Sequence, residues 1–213
     1  MSRDQTVAFQ SELEAAILSF GIPALTDDQM IRLVRHYSML CRWNQRLNLT
    51  RITEPGEAAR LHYAESLFGA RFISGARTLL DIGSGAGFPA IPLAVARPDV
   101  QVTALEANQK KSLFLKEAKD ELGLVNLKVV TARLEEVDWA GYELLTSRAL
   151  DRAEAVLPMV IERLPAQQEL MLYCGPDLVA TLEGQVECQI ETHPIPHSEA
   201  RIIAIFSTGH GSR

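Results

Sequence analysis

Three cysteines in 213 residues, Cys41, Cys174 and Cys188, are too few and too widely spaced for a disulfide framework, and no Cys-x-x-Cys pair is present to hold a metal. The five histidines, His36, His62, His193, His197 and His210, show no metal-ligand spacing, so no metal is expected. Unpaired thiols make a reducing, cytoplasmic setting the expectation. No apolar run reaches membrane-spanning length. The opening Met1-Ser2-Arg3-Asp4-Gln5 leads into an amphipathic pattern rather than the apolar block of a signal peptide, so no membrane partner is expected. Repeats and low-complexity segments are absent. Basic residues are in deficit: 21 Lys and Arg against 27 Asp and Glu give a formal net charge of −6. That argues against a non-specific nucleic-acid binder, and any RNA contact needs a local basic patch.

What is there is a globular composition, 47% hydrophobic and 23% charged, with chain enough for one good core. The first quarter reads as helix. Residues 5–20 form the first, with Val7, Phe9, Leu13, Ile17 and Leu18 leaning to one side and Gly21 stopping it. Thr26-Asp27-Asp28-Gln29 is a capping box. It opens a second helix to about Leu47, in which Met30, Leu33, Val34, Tyr37, Leu40 and Cys41 recur at helical spacing. Thr53 is expected to cap a third, with Pro55 in its first turn, and a fourth covers roughly 62–73. Short apolar strands then alternate with helices: strands at 77–82, 100–106, 127–131, 142–147 and 169–173, helices from Pro89 to 97, at 108–122, at 153–164 around Pro158, and a short one at 177–184. Segments 186–195 and 201–207 have no helix between them and read as a closing antiparallel pair. The expected fold is α/β, a doubly wound, mostly parallel seven-stranded sheet. Residues 1–73 form its helical cap, part of one compact unit, and residues 74–213 form the cofactor-binding domain. A monomer is the simplest expectation, and the tail Gly209-His210-Gly211-Ser212-Arg213 is expected to be mobile.

The segment most rich in chemistry is Leu79-Leu80-Asp81-Ile82-Gly83-Ser84-Gly85-Ala86-Gly87-Phe88-Pro89. It is an apolar strand carrying an acid near its end, then three glycines on alternate positions. Such a loop lets the backbone turn sharply and approach a nucleoside-type ligand at the carboxyl edge of a parallel sheet. A dinucleotide fingerprint would place its third glycine where Phe88 stands, and no Gly-Lys-Ser/Thr ending follows, so the loop points away from NAD and nucleoside triphosphates and toward S-adenosylmethionine. Glu106 closes the second strand 25 residues after Asp81, where an acid can accept both hydroxyls of a ribose. The helix starting near Pro89 turns free amides to the crevice, suited to a carboxylate such as a methionine tail. Leu134-Glu135-Glu136 follows the third strand, placed to hold an adenine, although spacing alone does not separate it from a solvated acidic turn. The cofactor contacts these residues themselves suggest are Asp81, Gly83, Gly85, Gly87, Glu106, Leu134 and Glu135.

After the fourth strand comes Thr146-Ser147-Arg148-Ala149. An Asn-Pro-Pro-Tyr motif, as used on exocyclic amines, is missing, and so is the cysteine–proline pair used on C5. An acceptor with its own lone pair, such as guanine N7, needs no base, and positioning then supplies most of the catalysis. Arg148 is the candidate for positioning, since arginine suits guanine O6/N7 and phosphate alike. Arg133, Arg148, Arg46 and Lys110 are the candidate RNA contacts, in a wider basic set with Arg42, Arg51 and Lys111. Read alone, these residues leave open a small-molecule acceptor, or a non-catalytic ribosome-assembly protein that binds S-adenosylmethionine.

The chain resembles the bacterial 16S ribosomal RNA guanine-N7 methyltransferases, also called the glucose-inhibited division protein B family, over nearly its whole length after about residue 10. The likeness is carried by Trp43-Asn44 with Asn48-Leu49-Thr50, by His62 and Ser66, by Asp81 to Pro89 with Ile91-Pro92-Leu93, and by Ser147-Arg148-Ala149. It implies a methyltransferase fold with an N-terminal helical cap, S-adenosylmethionine as donor, and one guanine N7 of 16S ribosomal RNA, within the small ribosomal subunit, as acceptor. It also implies that Gly83, Phe88, Leu134, Glu135 and Arg148 line the cofactor site and that Arg133 faces the RNA. The chain departs from the family pattern at Leu61 and Glu65 in the segment of His62 and Ser66, where arginine and aspartate are usual. It departs again at Ala90, usually glycine, and at Cys174, usually lysine.

Overall fold

The computed structural model describes residues 3–73, 75–148 and 153–208. Ala149 of the fourth-strand motif, the first two residues and the tail from 209 lie outside the described residues. The chain opens with α1 (Arg3–Ser19) and α2 (Asp27–Leu47). An unbroken helical path follows: α3 (Pro55–Ala58), a π-helical turn (Ala59–Ala64), α4 (Glu65–Phe68) and a 3-10 turn (Gly69–Phe72). Next come β1 (Thr78–Ile82), α5 (Ala90–Ala96), β2 (Gln101–Leu105), α6 (Gln109–Glu121) and β3 (Leu127–Val130). A 3-10 turn (Leu134–Glu136), β4 (Leu144–Arg148), α7 (Ala153–Glu162), β5 (Glu169–Cys174), α8 (Pro176–Glu183), β6 (Gln189–Pro194) and β7 (Ile202–Ser207) complete it.

The strands form one seven-stranded sheet in the order β3-β2-β1-β4-β5-β7-β6. The first five run parallel, and β7 and β6 close the edge antiparallel. This is the doubly wound sheet expected. Strands β1, β2, β4, β5 and β7 are largely buried on both faces, so alternate residues feed two cores, whereas the edge strand β6 stays largely exposed. Leu79, Leu144 and Met171 enter the core shared with α1, α2, α5 and α6, whereas Leu80, Ile82, Leu145, Leu170 and Leu172 enter the one under α7 and α8. The helical cap therefore packs into the first core rather than standing beside it: Phe9, Leu13, Leu33 and Tyr37 lie in the same cluster as Leu79, Phe88 and Phe114.

Several local expectations are met and several corrected. The capping box is formed, with the Gln29 amide donating to the Thr26 hydroxyl (3.3 Å) and the Thr26 amide to the Gln29 side chain (2.9 Å). In α1, Phe9, Leu13, Ala16 and Ile17 face inward, as does Phe20 just past its end, but Val7 and Leu18 are 61% and 82% exposed. Leu18 follows a buried residue directly and so lies about 100° further round the helix. The third helix is capped by Glu54, not Thr53: its carboxylate accepts from the Gly56 and Glu57 amides at 3.1 and 2.7 Å. The Thr53 carbonyl instead receives the Tyr37 hydroxyl (2.8 Å). The third and fourth helices merge, because the Glu65 amide reaches back five residues to the Arg60 carbonyl and the backbone widens into a π turn instead of breaking. Arg148 is the last residue of β4 rather than a residue beyond it. Among the described residues, no helix is long and apolar enough to cross a membrane.

Candidate active site

Ile82 at the end of β1 pairs with Leu105 of β2 on one side and Ser147 of β4 on the other. Gly83, Glu106 and Arg148 therefore meet at one point of the carboxyl edge, where the strand order reverses. A cavity of about 660 Å³ opens there. Gly83, Gly85, Phe88, Glu106, Leu134, Glu135 and Arg148 line it, as does Arg133. Asp81 and Gly87 do not, nor do Lys110 and Arg46, which are exposed at the start of α6 and in the last turn of α2. Lys111 takes the place expected of Lys110. Arg42 is paired with Glu121 at 3.6 Å.

One wall of the cavity is main chain held by one carboxylate. Gly83 and Ser84 amides donate to the Leu105 carbonyl at 2.9 and 3.0 Å, folding the loop over the end of β2. Gly83, Gly85 and Gly87 all have positive φ (75°, 55° and 88°), the reason these positions take glycine. The last two glycines serve different ends. A Cβ on Gly85 would find only the Gly83 carbonyl within 4 Å, at 3.8 Å, so the space above it is open. A Cβ on Gly87 would lie 2.5 Å from Ile91 and 3.3 Å from Leu115, so Gly87 lets α5 and α6 close on the loop. The buried Glu106 accepts from the Gly85 amide (2.9 Å) and the Asn108 amide (2.7 Å), which ties the loop to the start of α6. Beneath the loop Asp81 is fully buried, and neither carboxylate oxygen has a hydrogen-bond partner. Burial pushes its carboxyl up to about 7, against the pull of Ser84, the Ala90 amide and Arg148. The Ser84 hydroxyl itself donates to the Asp81 main-chain carbonyl (3.1 Å).

The opposite wall is made of side chains from distant segments. Asn44, in the last turn of α2, donates to the Thr50 carbonyl (2.9 Å) and accepts from the Thr50 amide (2.8 Å). The Thr50 hydroxyl lies 2.8 Å from His62 Nε2, and His62 Nδ1 lies 2.7 Å from Arg148 Nη2. A guanidinium has no acceptor, so Nδ1 must accept, the ring is neutral, and its proton sits on Nε2, donated to Thr50. Arg148 Nη1 also donates to the His62 carbonyl (3.4 Å), which receives the Ser66 hydroxyl at 2.5 Å. The His62 ring stacks on Phe88 at 4.6 Å and 18°, and the Arg148 guanidinium lies 5.8 Å from the Phe88 ring centre. Burial first, then the charge of Arg148, lowers His62 to about 3. Burial also lowers Arg148, countered chiefly by Glu65, a buried carboxylate paired with Arg201 at 2.9 Å. Leu49, Thr50 and His62 line the cavity without having been expected there; their only signal in the sequence was membership of the motifs that carry the resemblance.

A doubly wound seven-stranded sheet with a glycine loop and an acid at its carboxyl edge is the fold of the class I S-adenosylmethionine-dependent methyltransferases. Among solved structures, ribosomal protein L11 methylase from Lactobacillus delbrueckii subsp. bulgaricus overlays with a TM-score of 0.56 at 15% identity, covering 71% of this chain and 80% of that one. The O-methyltransferase from Bacillus cereus in complex with SAH gives 0.55 at 15% identity, covering 82% and 91%. In sequence, the family model described as rRNA small subunit methyltransferase G matches residues 29–194. Relatives named ribosomal RNA small subunit methyltransferase G include one from Neisseria gonorrhoeae (strain NCCP11945), 42% identical over 66% of this chain and 67% of its own. Another, from Solibacter usitatus (strain Ellin6076), is 40% identical over 70% and 71%. The chain belongs to the rRNA small subunit methyltransferase G family.

Proposed function

We propose that this chain transfers the methyl group of S-adenosylmethionine to N7 of a guanine in the 16S RNA of the small ribosomal subunit. The observation that carries the choice of acceptor is the state of His62. It is the one histidine among the described residues lining the cavity, and its only lone pair is already directed to Arg148. Glu106 is held by two amides on the opposite wall, away from Arg148 and His62. The site is thus better supplied with positioning groups than with a free base, as suits a nitrogen that brings its own lone pair.

The residues fit the donor. The open space over Gly85 admits a ligand close to the backbone, and Glu106 keeps lone pairs for ribose hydroxyls. Leu134 and Glu135 stand beyond it, where an adenine would lie. Asp81, buried with both oxygens unpartnered, lies behind the loop that would face a methionine tail rather than in the cavity itself. When bound, S-adenosylmethionine supplies a methyl group on a sulfonium sulfur, the C–S electron pair staying with sulfur. Arg133 and Lys111 at the cavity rim would meet RNA phosphates, and Arg148 the base.

Incubating the enzyme and labelled donor with small subunits from cells lacking this protein should label 16S RNA, at a purine that then becomes sensitive to N7-directed cleavage. Label on no ribosomal RNA, or on a position resistant to that cleavage, overturns the proposal. Binding through phosphates also requires that transfer weaken steeply as salt is raised.

A further inference from the structure

Arg148 reaches the transfer wall at the end of β4, and His62 holds it at two places. One hydrogen of Nη2 goes to the ring Nδ1 (2.7 Å) and one of Nη1 to the main-chain carbonyl (3.4 Å). That engages both terminal nitrogens of the guanidinium and fixes how the rest of it is turned toward the cavity. The consequence depends on the acceptor being guanine N7, the function proposed above. An arginine left to itself grips guanine through O6 and N7 together, the commonest specific contact between protein and base. Here such a grip is self-defeating, because a hydrogen bond to N7 occupies the lone pair that must take the methyl group.

We propose that His62 is the positioning residue of the reaction: with its proton fixed on Nε2 by Thr50, it presents Nδ1 to Arg148, fixes the orientation of the guanidinium, and so directs Arg148 to guanine O6 while N7 stays free.

The support is geometric. His62 is fastened on both ring nitrogens and on one face, by Thr50 at 2.8 Å, Arg148 at 2.7 Å and Phe88 at 4.6 Å. Thr50 is itself fixed by Asn44 and by the Ile52 amide, which donates to its hydroxyl at 3.1 Å. The charged and titratable groups facing His62 from neighbouring elements are Arg148 of β4, His36 of α2 and Arg201 ahead of β7. All three disfavour a charged ring. Glu65 and Asp81 act on the arrangement through Arg148.

The signature sought is a division between kcat and KM. Without the His62 acceptor, Arg148 is free to bind N7, which tightens the ground state and blocks attack. His62→Ala should therefore lower kcat at least tenfold while KM for small subunits stays level or falls, with donor affinity unchanged by calorimetry. His62→Asn places an amide oxygen near the Nδ1 position and should recover most of kcat. His62→Gln places its amide nearer Thr50 and should not. A raised KM at unchanged kcat in His62→Ala, or equal rescue by Asn and Gln, overturns the proposal. An arm that needs no turnover uses the wild-type protein labelled with 15N-histidine, without donor or RNA. Besides the buried His36, its spectrum should show a second buried ring in the neutral Nε2–H form, assigned to His62 by its loss in His62→Asn and unchanged down to about pH 5. A ring protonated on Nδ1, or charged at pH 7, contradicts the assignment even if the Ala variant fails to fold. A wild-type enzyme that labels no RNA instead overturns the function on which this rests, so the two failures are told apart.

Discussion

The cavity has two unlike walls. On the side proposed to hold the cofactor, shape is made by main chain: three glycines in left-handed geometry, one carboxylate joining two amides, and a helix closed against Gly87. On the transfer side, shape is made by side chains relayed from Asn44 through Thr50 and His62 to Arg148, segments that meet only in the folded chain. The first wall is fixed by local backbone geometry and tolerates little change in it. The second is fixed by hydrogen bonds between distant residues. It should lose rate before it loses stability or donor affinity, and that difference can be broken or sharpened by experiment.

The largest expected effect lies under the cofactor wall. Asp81 titrates near 7 in the folded protein against an ordinary 3.8. As pH rises from 3.8, the unfolded chain releases this proton while the folded one keeps it, so stability falls until pH passes 7. The loss is about 4 kcal/mol over that interval. Asp81→Asn should abolish it, making the variant more stable than the wild type at pH 8 and no better at pH 4 in urea titrations. Equal stability at pH 8 would mean that the carboxyl is not desolvated. The buried His36 and His62 act in the opposite sense. Both are held near 3 against an ordinary 6.5, so their contribution is lost as pH falls from 6.5 toward 3.

Next, Glu106→Ala removes two charge-assisted hydrogen bonds from the loop as well as the expected ribose contact. Donor affinity should fall by about 100-fold or more, roughly 3 kcal/mol, by calorimetry. An affinity within threefold of wild type would remove Glu106 from the account.

The two glycines then separate packing from binding within one wall. Gly87→Ala forces Ile91 aside and strains a positive φ, and should cost about 2–4 kcal/mol of stability. Gly85→Ala meets no neighbour, and should cost only about 1–2 kcal/mol while lowering donor affinity at least tenfold. Reversed behaviour would mean that the cavity face of the loop has been misjudged.

Smallest in its effect on function, but most telling for the other wall, is Thr50→Val. It leaves the His62 Nε2–H and the Ile52 amide without their acceptor, at about 1–3 kcal/mol. Transfer should slow severalfold with donor affinity unchanged. A loss of donor affinity instead would erase the distinction between the walls.

The glycine-loop wall of the cavity was legible in the sequence because its determinants lie close together or at strand ends. Asp81 to Pro89 announces a turn, and Glu106 follows at the spacing of one helix and one strand. Reading the loop residues as a single binding set did not separate Gly85, which faces the cavity, from Gly87, which faces Ile91 and Leu115; nothing in the G-x-G-x-G pattern distinguishes them. The transfer wall was legible only at Arg148. His62 is 86 residues from it in sequence, and a histidine in a helix without metal-ligand spacing carries no local sign of its partner. The π turn that holds it was unreadable for a related reason, since the widening of the helix is a tertiary accommodation with no side-chain period of its own. Thr53 lost the cap to Glu54, whose longer side chain still reaches two amides.

The most direct test of a transfer wall that positions without deprotonating is the pH dependence of single-turnover methyl transfer to small subunits at saturating donor. An acceptor with its own lone pair and a histidine kept neutral predict a rate constant level to within about twofold between roughly pH 6.5 and 9. A rate that climbs about tenfold per pH unit through that range, as one ionisation would impose, would require a base in this site and would contradict the account.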